Sequence, residues 1–131
     1  MAHLDHVTVT ASDFASSLAF YDAALGALGL ERVAEHLDEE EDGATIEAAG
    51  WGLDGGSPLL WLVAGSRATY GLHVRLTAQS RGEVEAFHRA GVEAGGAEHA
   101  GPRRWVLYRS GEFNAIVADP DGNLIEAVAP E

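Results

Sequence analysis

Three residues of this chain have types and placements that could do chemistry: His6, His73 and Glu126. Each imidazole lies in a short run of aliphatic and β-branched residues, 4–10 and 72–77, where a histidine is not the expected filler. Glu126 stands between aliphatic neighbours in the run 125–129, where an unpartnered carboxylate would be costly to bury. Two imidazoles and one carboxylate with open positions make a recurrent catalytic site for iron(II), manganese, nickel or zinc. Such an ion would act as a Lewis acid, stabilising negative charge that develops on a small substrate bound at its open positions. The competing reading has Glu126 facing solvent on an edge strand and both histidines structural.

A repeat connects the two histidines. At an offset of 67 residues, His6-Val7 falls on His73-Val74 and Thr10-Ala11 on Thr77-Ala78. The match continues with Ala19-Phe20 on Ala86-Phe87, Ala23 on Ala90, Ala27 on Ala94 and Gly29 on Gly96. A duplicated module makes His6 and His73 equivalent, and pseudo-twofold symmetry would turn both towards one axis. Residues 60–64 align with 125–129, which makes Trp61 the symmetry mate of Glu126.

Each copy opens with a strand and continues with a helix. In the first helix Ser12 or Asp13 is the N-cap, and Phe14, Leu18, Tyr21 and Leu25 form the apolar stripe. In the second, Ser80 and Glu83 form a capping box, with Val84, Phe87 and Ala94 as the buried stripe. Gly26 and Gly29 close the first helix, and Gly95-Gly96 the second. Further strands are expected at 44–49, 58–64, 105–109, 114–118 and 123–128, with Asp119-Pro120-Asp121-Gly122 as a turn. The acidic run 38–42 reads as a solvated loop. Each module thus reads β-α-β-β-β, within a single domain whose halves span about residues 1–66 and 67–131.

The segments His6-Val-Thr-Val-Thr-Ala-Ser-Asp, Ala19-Phe20-Tyr21, His73 and Asp119-Pro120-Asp121-Gly122-Asn123-Leu124-Ile125-Glu126 together resemble the vicinal oxygen chelate superfamily. That superfamily includes glyoxalases, bleomycin resistance proteins, fosfomycin resistance proteins and extradiol dioxygenases. The resemblance covers essentially the whole chain. It implies an α+β fold of tandem βαβββ modules, their curved mixed sheets enclosing a central cavity, with a divalent metal (iron, manganese, nickel or zinc) on His6, His73 and Glu126. In this superfamily the site lies either within one chain or between subunits, and a homodimer is expected because each small curved sheet leaves edges to cover. Glyoxalases of the lactoylglutathione type place a fourth carboxylate where this chain has Trp61, which counts against that reaction. Extradiol dioxygenases add acid–base His and Tyr residues, for which His99, Tyr108 and His36 are candidates. Trp61, Tyr108 and Phe113 could wall a pocket beside the metal, and Arg103, Arg104 and Arg109 could meet a substrate carboxylate or form surface ion pairs.

The expected function is therefore a metal-dependent lyase, isomerase or dioxygenase acting on a small oxygen-rich metabolite. The alternative is a metal-free protein of the bleomycin resistance type that sequesters a drug or metabolite. Composition narrows the field in the same direction. With 8 basic and 21 acidic residues the formal charge is −13, a field that repels phosphate backbones and anionic lipid. All basic residues are arginine, which excludes lysine Schiff bases and phosphate-loop lysines; the absence of cysteine excludes thiol nucleophiles and cysteine-rich metal sites. Residues 59–64, the longest apolar run, cannot span a bilayer, and the expected location is the cytoplasm.

Overall fold

In the computed structural model, which describes residues 2–38, 45–105 and 112–130, ten elements follow one another along the chain. They are β1 (Val7–Ala11), α1 (Phe14–Gly26), β2 (Glu31–Asp38), β3 (Thr45–Gly52), β4 (Leu60–Ala64), β5 (His73–Thr77), α2 (Arg81–Glu93), β6 (Ala97–Trp105), β7 (Glu112–Ala118) and β8 (Leu124–Ala129). The strands form two four-stranded mixed sheets, ordered β1-β4-β3-β2 and β5-β8-β7-β6. In each sheet the first strand of the module runs parallel to its last, and the other pairs are antiparallel. The duplication read from the sequence is thus an α+β fold of two βαβββ modules. It extends to the register: Thr8 lies opposite Trp61, and Arg75, at the repeat position of Thr8, lies opposite Glu126.

Strand alternation sorts the side chains between two faces. Val9, Ala11, Leu60, Leu62, Ala115, Val117, Ile125 and Ala127 are buried together with the helices. Asp13 caps α1 by accepting from the Ser16 amide, and Ser80 caps α2 by accepting from the Glu83 amide. The Glu83 carboxylate reaches back to the Gln79 amide, one residue beyond the partner that a capping box predicts. The buried face of α1 runs through Ser17, Phe20, Tyr21, Ala24 and Leu25, whereas Phe14 and Leu18 are only partly buried. It is turned relative to the expected stripe because α1 packs on α2 as well as on its own sheet.

Two strands depart from expectation for a shared reason. β2 is mostly polar and β6 holds Gly101-Pro102 in its middle, and both are edge strands with register shifts. An edge strand needs neither two apolar faces nor a complete set of amide donors, so neither shows a clean strand pattern. β6 ends at Trp105, where a strand was expected to begin. The remainder of that expected strand, most of the acidic run and Ala44 lie outside the described residues.

The Asp119-to-Asn123 turn ties one module to the other. Asp119 is buried and accepts hydrogen bonds from the Tyr21 hydroxyl on α1 at 2.6 Å and from the amides of Asp121 and Asn123, both at 2.9 Å. Asn123, fully buried, donates to the Thr69 carbonyl and accepts from the Leu72 amide in the intermodule segment. Asp121 receives the amide and hydroxyl of Ser12. Burial, and then the neighbouring Asp119 charge, pushes the Tyr21 phenol far above its ordinary value. A group whose folded-state pKa is raised contributes stability that is complete below its unfolded value and is lost as pH rises above it. Stability should therefore fall by roughly 1.4 kcal/mol per pH unit above about pH 10 on account of Tyr21. Urea midpoints at pH 8.5 and 11 should show Tyr21→Phe losing less than the wild type; equal losses would refute the assignment.

Candidate functional site

The helices cover one face of each sheet, and the face of the second sheet turned away from them carries a cavity of about 690 Å³. That volume is within the range of small-molecule sites. Its polar lining comes from β5 (His73 and Arg75), β6 (His99 and Arg103), β7 (Glu112 and Asn114) and β8 (Glu126), with Ile116 and Leu124 among its apolar members. The alternation of β7 explains the selection: Glu112, Asn114 and Ile116 face the cavity, while Ala115 and Val117 enter the core.

Glu126 is the centre of this surface. It is 4% exposed, and three side chains converge on its carboxylate. His73 Nε2 lies 2.8 Å from Oε1, while Asn114 Nδ2 and Arg75 Nε donate to Oε2 at 2.6 and 3.2 Å. Burial raises the Glu126 pKa, but the hydrogen bonds from Asn114, His73 and Arg75 outweigh it and leave the carboxyl below its ordinary range. It is therefore an ionised acceptor at neutral pH. Arg75 is held from its other side by Glu112, at 2.9 and 3.4 Å. Because the Glu126 carboxylate demands a donor, the Asn114 amide is oriented with nitrogen towards it. Asn114 Oδ1 is consequently buried with no hydrogen-bond partner among the described residues.

Of the residues singled out in the sequence, the structure brings together His73 and Glu126, and adds His99 and Arg103 to the cavity wall. His6 lies one residue before β1 in the other module, is exposed, pairs with the Asp5 carboxylate and does not line the cavity. Trp61 is half-buried on the first sheet, where a Cβ on Gly50 would come within 3.1 Å of the indole. Phe113 packs against the core and carries the Arg81 guanidinium over its ring. His36 is on β2, in the first sheet, and Tyr108 and Arg109 lie outside the described residues. Arg75, Asn114 and Glu112 went unrecognised in the sequence. A signal existed for Arg75, since a residue two after His73 on a strand shares its face.

A divalent metal does not fit this arrangement within one chain. Among the described residues no group of three or more histidine, aspartate and glutamate side chains is placed to hold an ion. The one carboxylate beside His73 is also already neutralised by a guanidinium and bonded by an amide. Nor, among the described residues, is any helix long and apolar enough to cross a membrane.

Comparison with known proteins agrees with this architecture. The family model described as glyoxalase/bleomycin resistance protein/dioxygenase superfamily matches residues 3–127. A glyoxalase/bleomycin resistance protein from Albidiferax ferrireducens T118 is similar at 29% identity and TM-score 0.75, over 97% of this chain and 98% of that one. A glyoxalase/bleomycin resistance protein/dioxygenase family enzyme from Burkholderia phytofirmans PsJN shares the fold at 14% identity and TM-score 0.66, over 99% and 100% of the two chains. A genomically encoded fosfomycin resistance protein from Listeria monocytogenes does so at 16% identity and TM-score 0.67, over 100% and 95%. No curated protein matches the chain.

Proposed function

Since the chain belongs to the glyoxalase/bleomycin resistance protein/dioxygenase superfamily, we propose that it binds a small, polar, oxygen-bearing molecule in the cavity over its second sheet, without a metal to hold it. One observation carries this reading: the Glu126 carboxylate is satisfied by Arg75, Asn114 and His73 rather than left open for an ion. The cavity offers a ligand both donors and acceptors from the polar side chains that line it. The protein acts in the cytoplasm as a homodimer.

A second reading, a metal-dependent lyase, isomerase or dioxygenase, is favoured by the 2.8 Å approach of His73 Nε2 to Glu126 Oε1. It requires His6 to come from a second copy of the chain. Purification of the untagged protein and plasma mass spectrometry separate the two. On the first reading, iron, manganese, nickel and zinc together are expected well below one equivalent, and chelator leaves the melting temperature unchanged. Near-stoichiometric metal that is lost in both His73→Ala and Glu126→Ala would replace the first reading with the second.

A further inference from the structure

We infer, on the metal-free reading of the cavity, that Arg75 is a built-in cation that keeps divalent metals off the His73–Glu126 pair. The register sets it there: Arg75 lies directly opposite Glu126 on the neighbouring parallel strand. Its Nε occupies Oε2 of the carboxylate, and its two terminal nitrogens hold Glu112, so the guanidinium is anchored from both sides. Displacing it means breaking contacts to two carboxylates, one of them nearly buried. Arginine does not yield the place by losing a proton, as a lysine could. A divalent ion at His73 and Glu126 would therefore face a fixed positive charge beside it and a carboxylate with one oxygen already taken.

The repeat makes this a property of the second module alone. The equivalent of Arg75 in the first module is Thr8, which is uncharged and lies opposite Trp61. The arrangement is thus not a by-product of the duplicated fold. Of the two residues directly opposite Glu126 on its neighbouring strands, Ile116 on β7 and Arg75 on β5, Arg75 is the one that carries a charge. Glu112 acts through Arg75 as a positioning residue.

Isothermal titration of the untagged, chelator-treated protein with Zn²⁺ and with Ni²⁺ tests this, using wild type, Arg75→Gln and Arg75→Gln/Glu126→Gln. Arg75 is 40% exposed as a side chain, so its replacement should leave the fold intact, which circular dichroism of each variant is to check. Arg75→Gln is expected to bind at least about tenfold more tightly than the wild type, as removal of one adjacent positive charge in a half-exposed site implies. The added Glu126→Gln change should abolish that gain. Equal affinities overturn the inference, including the case in which neither protein binds, and so does a gain that survives the Glu126 change. If the wild type already holds one equivalent and Arg75→Gln binds tighter still, Arg75 weakens metal binding without excluding the ion, and both the exclusion and the metal-free reading fall.

Discussion

Asp119→Ala is expected to lower the unfolding free energy by about 3–5 kcal/mol, as loss of one partner from a buried, charged hydrogen-bond network does. The carboxylate receives the Tyr21 hydroxyl, the amides of Asp121 and Asn123, and the Asn123 side-chain amide at 3.1 Å. Truncation leaves these donors facing an apolar gap, with Tyr21 and Asn123 both fully buried. It also loosens the turn that holds α1 and the segment 69–72 against the second module. Tyr21→Phe removes only one hydroxyl and should cost about 1–2 kcal/mol near neutral pH. The two changes share a partner, so their effects should not add: with Asp119 already gone, losing the hydroxyl should cost little. Urea unfolding of the four proteins of this cycle measures both terms. A loss below about 1 kcal/mol for Asp119→Ala would mean that the joint is not a source of stability.

Gly96→Ala should be nearly as damaging, at about 3 kcal/mol. A Cβ there would stand 2.5 Å from Phe20 Cε1, 2.7 Å from Val117 Cγ1 and 2.8 Å from the Gly91 carbonyl oxygen. The Phe20 ring and Val117 are fully buried, and the carbonyl is backbone, so none of the three can move aside without shifting the α1–α2 contact. Gly91 supplies the internal comparison, because it touches the same ring at 3.3 Å and the same valine at 3.4 Å. Alanine at that helix position recovers about 0.5–1 kcal/mol of backbone entropy against a contact that needs only a few tenths of an ångström of relief. Gly91→Ala is therefore expected within about 1 kcal/mol of the wild type. Thermal and urea unfolding of both variants would expose any error: a small loss at Gly96 would show that the interface yields where the packing says it cannot, and a large one at Gly91 that it fails to give a few tenths of an ångström.

Both expectations concern the joint between the modules, and that joint was legible only in pieces. The Asp119-to-Gly122 run announced a turn by its residue types, since proline and glycine favour the dihedral angles that a turn needs. Nothing local said that its carboxylate would reach α1, because Tyr21 lies 98 residues away in the chain. The same division appears at the cavity. His73 and Glu126 drew attention as polar side chains in apolar runs, and parallel pairing of β5 with β8 does bring them together. Arg75 resembled any exposed arginine until register set it opposite Glu126, and Asn114 any strand residue until its amide met the same oxygen.

The sequence by itself determined the duplication, the two capped helices, the α+β class and the residue types available for chemistry. These depend on spacing along the chain, on periodicities of two and of 3.6, and on caps that act within one turn. Tertiary structure alone decided that the two helices pack together, that Phe113 packs against the core, that His6 stands apart from the cavity of its own chain, and that Glu126 meets an arginine. Each of these depends on cross-strand register and on the packing of one module against the other. A strand places its residues on two faces, but only its neighbours determine what each face meets.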